Sequence, residues 1–114
     1  MKVKVEEPRP HVFVVVPEGD VDMSSSPEVR KAMAPLFHKG TAEVIVDLSE
    51  VPYMDSSGIA TLIEGLQLSH KGSIRFVLAG MNPSVEAAFE LAHLRDVFEI
   101  LPNAKRALEE GGMQ

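Results

Sequence analysis

The feature that most constrains this chain is an alternation between two hydrophobic periods. Val12-Phe13-Val14-Val15-Val16 is a continuous, mostly β-branched run stopped by Pro17-Glu18-Gly19, and it predicts a buried strand. Val44-Ile45-Val46-Asp47-Leu48 and Ile74-Arg75-Phe76-Val77-Leu78-Ala79 are runs of the same kind. After each comes an apolar stripe at spacings of three and four: Val29, Ala32, Met33, Leu36 and Phe37; Ile59, Leu62, Ile63 and Leu66; Val85, Ala88, Phe89 and Ala92. That spacing makes one face of a helix. Strands alternating with such helices need crossover connections and therefore a largely parallel sheet.

Turn and cap residues set the boundaries. Ser24-Ser25-Ser26-Pro27 offers a hydroxyl N-cap and a first-turn proline, so a helix is expected over Pro27 to His38, kinked at Pro35 and ended near Gly40. The next helices are expected over Ser56 to His70, closed by Lys71-Gly72, and over Pro83 to Leu91 behind Asn82. Val3-Lys4-Val5 reads as a short strand limited by Pro8 and Pro10. Val97 to Ile100 reads as a late strand, and about Asn103 to Glu109 as a last helix. The order β-β-α-β-α-β-α-β-α predicts an α/β fold with a mixed, largely parallel sheet. Its helices should lie mainly on one face, with the N-terminal strands antiparallel at one side. The length fits a single domain over 1–114, with its core at about 12–108.

Charge and residue usage narrow the function classes. A formal net charge of −6, with no basic grouping longer than a pair such as Lys105-Arg106, argues against nucleic acid as a partner. The absence of cysteine excludes disulfides, thiolate metal sites and thiol redox chemistry. Met1 to Pro8 lacks the apolar core of a signal peptide, and no apolar run is long enough to span a bilayer. A cytoplasmic protein without direct membrane insertion is expected. His11, His38, His70 and His93 show no metal-binding spacing, and there is no Gly-x-x-x-x-Gly-Lys phosphate loop. No metal or cofactor is expected. Met33 and Met54 read as packing residues, and Glu50, Glu64, Glu86 and Glu90 as solvated faces.

The stretch richest in polar detail is Asp55-Ser56-Ser57-Gly58, where a strand passes through a turn into a helix. With Asp55 as N-cap, Ser56 is the first helical residue and Met54 can pack on Ile59 as a hydrophobic staple. Both serines then stand among unsatisfied N–H groups at the positive end of the helix dipole. Four residues of this kind can simply cap a helix. Two adjacent hydroxyls, however, exceed what one cap needs, and Gly58 is a poor helix former. A phosphate on Ser56 would be electrostatically tolerated and would bring about −1.5 to −2 charge to the surface. No Gly-x-Ser-x-Gly elbow or matching histidine supports a serine hydrolase, so no catalytic residue is assigned.

The run Val44-Ile45-Val46-Asp47-Leu48-Ser49-Glu50-Val51-Pro52-Tyr53-Met54-Asp55-Ser56-Ser57-Gly58-Ile59-Ala60 closely resembles the STAS domain family, and in particular its free-standing anti-sigma factor antagonists of bacteria. Gly19-Asp20-Val21-Asp22 resembles the family's Gly-Glu-Leu-Asp turn, and Phe98-Glu99-Ile100 its late strand; the likeness runs from about Val12 to Leu108. The resemblance implies an antagonist that binds an anti-sigma factor with serine-kinase activity while unphosphorylated. Phosphorylation of the serine after Asp, here Ser56 (with Ser57 the alternative), would release it, and a serine phosphatase would restore it. Asp22, Asp55, Ser56, Ser57 and Gly58 would form the partner-binding edge. Pro35 and the proline-containing N-terminus depart from the family pattern. Asp47 has two readings, a strand-end hydrogen bond to the next turn or a part in orienting the serine loop. A different function class is also open: a STAS regulatory subunit of a membrane transporter or lipid-transport ATPase complex.

Overall fold

The computed structural model describes residues 1–111. Five strands, β1 (Lys2–Arg9), β2 (Val12–Glu18), β3 (Glu43–Asp47), β4 (Arg75–Ala79) and β5 (Glu99–Leu101), form one sheet in the order β1-β2-β3-β4-β5. β1 pairs antiparallel with β2, and every later pair is parallel. The helices are α1 (Ser26–Met33), α2 (Ser56–Gly72), α3 (Pro83–Leu91) and α4 (Ala104–Gly111). The element order and the mixed sheet are those expected.

Strand order explains where the helices lie. Right-handed crossovers that always step to the next strand in one direction place every connecting helix on the same face. Val29 and Met33 of α1, Leu62 of α2, and Val85 and Phe89 of α3 accordingly share one cluster with Val15, Val44, Val46, Phe76 and Leu78. The alternate side chains Val12, Val14, Ile45, Val77 and Ala79 point to the other face, where Ala104, Ala107 and Leu108 of α4 cover them. Burial on both faces is why β3 and β4 read as unbroken apolar runs rather than alternating ones.

β5 starts at Glu99 rather than Val97 and α2 runs to Gly72, and two boundaries differ by more. β1 runs through Pro8 because it is an edge strand with an irregularity between Glu6 and Arg9, where a residue without an N–H loses no ladder bond. The first helix does not reach His38. It stops at Met33 and tightens into a 3-10 turn over Ala34–Leu36, which accommodates the missing donor of Pro35.

One polar cluster sits at the amino-terminal ends of the parallel strands. Glu43 is buried, and Arg75 Nη1 donates to both of its carboxylate oxygens at 2.9 Å and to the Ala107 carbonyl at 3.1 Å. The rest of the guanidinium forks onto Glu99, and Glu110 lies 3.9 Å away. These hydrogen bonds, those from Glu99 foremost, raise the Arg75 pKa above its usual value. Arg75 thus ties α4 across the starts of β3, β4 and β5.

Candidate functional site

At the opposite, carboxyl-terminal ends of the strands, two loops are joined by a short parallel bridge between Val21 and Met54. Val21 donates its N–H to the Tyr53 carbonyl at 2.9 Å, Asp55 donates to the Val21 carbonyl at 3.1 Å, and Gly19 donates to the Glu50 carbonyl at 2.9 Å. Asn82 Nδ2 donates to the carbonyls of Val51 and Pro52 at 3.2 Å each, so the start of α3 holds the same loop from the other side. Val21 and Met54 are buried beneath this seam.

The seam delivers the chain to α2 with Asp55 at the N-cap. Asp55 Oδ1 accepts from the Ser57 N–H at 2.8 Å and from the Ser57 hydroxyl at 2.5 Å. The Ser57 hydroxyl bond is the main reason the Asp55 pKa is lowered, while burial and the neighbouring Asp22 charge oppose the shift. Ser56 occupies the first helical position and is exposed, and among the described residues its hydroxyl has no hydrogen bond. The two adjacent serines are therefore not equivalent. One hydroxyl is committed to the cap and the other faces solvent.

Asp22 stands beside this helix start and builds a similar turn of its own. Its Oδ1 accepts from the Ser24 hydroxyl at 2.7 Å and the Ser24 N–H at 2.9 Å, with Ser25 donating more weakly. The Ser24 hydroxyl bond is the largest cause of its lowered pKa. The expected hydroxyl cap of α1 is absent, because the Ser25 hydroxyl donates to the Asp20 carbonyl instead. The Asp22 carbonyl takes the Ser26 N–H at 2.7 Å in its place.

Gly58 has a packing reason to be glycine. A Cβ there would stand 2.5 Å from Met54 Cγ and 2.9 Å from Val21 Cγ1, so only glycine lets α2 lie against the bridge. Asp47 Oδ1 accepts from the Ser49 N–H at 3.0 Å, a strand-end bond to the following turn. Asp22, Asp55, Ser56, Ser57 and Gly58 are thus neighbours. The bridge that makes them so, and the second role of Asn82, are not readable from spacing.

The chemistry open to this arrangement is limited and specific. Residues 50–60 contain no histidine, so the Ser56 hydroxyl has no imidazole base beside it in sequence. It can accept a group delivered by another protein, at a helix start whose N–H groups favour an anion. Among the described residues no group of three or more His, Asp or Glu could hold a metal, and no helix is long and apolar enough to cross a membrane.

The sequence profile of the STAS domain matches residues 3–107. Over 82 residues, 72% of this chain and 76% of the relative, the sequence is 26% identical to the anti-sigma-B factor antagonist of Staphylococcus aureus. Among solved structures, an anti-sigma factor antagonist from Mycobacterium paratuberculosis superposes with a TM-score of 0.85 at 24% identity, covering 96% of this chain and 92% of that one. The Bacillus cell fate determinant SpoIIAA, in its phosphorylated form, gives a TM-score of 0.75 at 16% identity, covering 96% and 98%. These two likenesses are of fold. The chain belongs to the STAS domain family.

Proposed function

We propose that this STAS protein is an anti-sigma factor antagonist. It binds an anti-sigma factor with serine-kinase activity while Ser56 is free, and phosphorylation of Ser56 releases it. The observation that carries this reading is the asymmetry of the serine pair: Ser57 is locked onto Asp55 while Ser56 presents a free, exposed hydroxyl. The relative in Staphylococcus aureus bears the antagonist name, and SpoIIAA is known in a phosphorylated form. A serine phosphatase would reset the cycle. The chain itself is the substrate and the ligand in this scheme, not the catalyst.

The physical effect of a phosphate follows from its place. At the first position of α2 it meets N–H groups that tolerate it, so the domain stays folded. On docking, however, a group of about −1.5 to −2 charge would be desolvated beside Asp55 and Asp22. A loss of roughly 2–4 kcal/mol, about 30- to 1,000-fold in affinity, is expected.

The test uses the anti-sigma kinase of the source organism with ATP, intact-mass spectrometry and calorimetry. Ser56→Ala should bind and take no phosphate. Ser57→Ala should still be phosphorylated. The reverse pattern would move the acceptor to Ser57, and no phosphate on either serine in the unsubstituted chain would sink the proposal.

A further inference from the structure

Met23 and Tyr53 are large apolar side chains that stand in solvent, 80% and 49% exposed, and each lies within two residues of the Val21–Met54 bridge. Neither sits on loose chain. Tyr53 accepts the Val21 N–H through its carbonyl, and Met23 lies inside the turn that Asp22 closes onto Ser24. Side chains held out on a fixed backbone lose little backbone freedom when they are buried by a partner. Methionine and tyrosine also suit that use, one by adaptability and the other by area with a polar tip.

The charge around them is one-signed. Residues 10–29 and 40–70 contain no lysine or arginine. Asp20, Asp22, Glu50 and Asp55 all lie in these stretches, and among the described residues none of them enters an ion pair. Asp20 and Glu50 are exposed. Nucleic acid or an anionic lipid surface would be repelled here.

We infer that Met23 and Tyr53 are the apolar anchors of the partner interface, and that the partner is a protein face with an apolar recess ringed by arginine or lysine. This rests on the proposed antagonist function and adds the chemistry of the bound face. It also assigns a route to release. A phosphate on Ser56 is not repelled by a basic partner; its cost on docking is desolvation beside Asp22 and Asp55.

The test measures binding to the purified anti-sigma factor by surface plasmon resonance at low and high salt. Met23→Ala and Tyr53→Ala should each raise Kd by about tenfold or more, mainly through faster dissociation. Asp20→Asn with Glu50→Gln should slow association and flatten its salt dependence. Leu91→Ala, which truncates an equally exposed side chain at the far end of α3, should change neither. All variants should melt as the unsubstituted chain does. Binding within about twofold of normal for the double Met23→Ala, Tyr53→Ala variant, or association that quickens with salt, overturns the inference and leaves the antagonist function standing. Failure of the unsubstituted chain to bind the anti-sigma factor removes both.

Discussion

At the amino-terminal ends of β3, β4 and β5, Arg75 gathers Glu43, Glu99 and Glu110; at the carboxyl-terminal ends, Asp20, Asp22, Glu50 and Asp55 enter no ion pair among the described residues. Burial explains the contrast. Glu43 is only 4% exposed, and a carboxylate removed from water must be paired and hydrogen-bonded. Asp22 and Asp55 keep contact with water and are satisfied by N–H and hydroxyl donors of their own turns, so no counter-charge is required. One end spends its polar groups on holding α4 in place. The other holds its shape with neutral donors and leaves its carboxylates, among the described residues, without a counter-charge.

The sharpest way to break this comparison is to remove the cation. Arg75→Met leaves the buried Glu43 with Arg9, 4.0 Å away, as its remaining cation among the described residues, and a loss of about 3–5 kcal/mol in urea denaturation is expected. The double Glu43→Met, Arg75→Met variant should recover most of it; if the single variant costs nothing, the cluster is not a structural tie. Leu62→Ala, beneath the serine helix, should cost about 2–5 kcal/mol by leaving a cavity, since Leu62 is fully buried. A change below about half a kcal/mol would mean that the packed face of α2 is misassigned. Gly58→Ala should cost about 1–3 kcal/mol by forcing Met54 and Val21 apart, and should loosen the seat of Ser56 as well. A stable variant with unchanged phosphorylation would show that the close approach is dispensable.

The smallest effect concerns pH. Asp22 and Asp55 have folded pKa values below the usual 3.8, so each stabilises the fold above that value. The contribution fades as pH falls past about 4 and through the lowered folded values. Asp55→Asn keeps a capping oxygen without the charge. It should melt below the unsubstituted protein near pH 7, and the gap should narrow as pH falls below about 4. An unchanged gap would place the effect in shape rather than in charge.

How much of this was legible depends on range. α3 was readable to its ends, because Asn82, Pro83 and the Val85–Phe89 stripe are local signals that agree with the packing they meet. The end of α1 was missed because a proline in a helical stripe can kink the helix or end it, and the deciding partner is the 3-10 turn it forms. Asp55 as N-cap followed from spacing, but the division of labour between Ser56 and Ser57 needed hydroxyl directions. Gly58 had read as a sign of function on propensity alone, whereas its nearest demand is room for Met54. Arg75 was passed over inside an apolar run. Its partners are 32 and 24 residues away, and only strand register brings them together.

The unreversed order β1-β2-β3-β4-β5 carries one further consequence. In open α/β sheets, small ligands settle where the order turns back and adjacent loops part toward opposite faces, opening a crevice. Here the loops that follow β2, β3 and β4 all lead to helices on one face, so nothing parts between them, while the loop from β5 into α4 leads to the other face. What the sheet offers above its strand tips is a continuous skin, two loops wide and stitched by the Val21–Met54 bridge. A surface of that shape suits the protein contact proposed above, and a phosphate on Ser56 would change its relief.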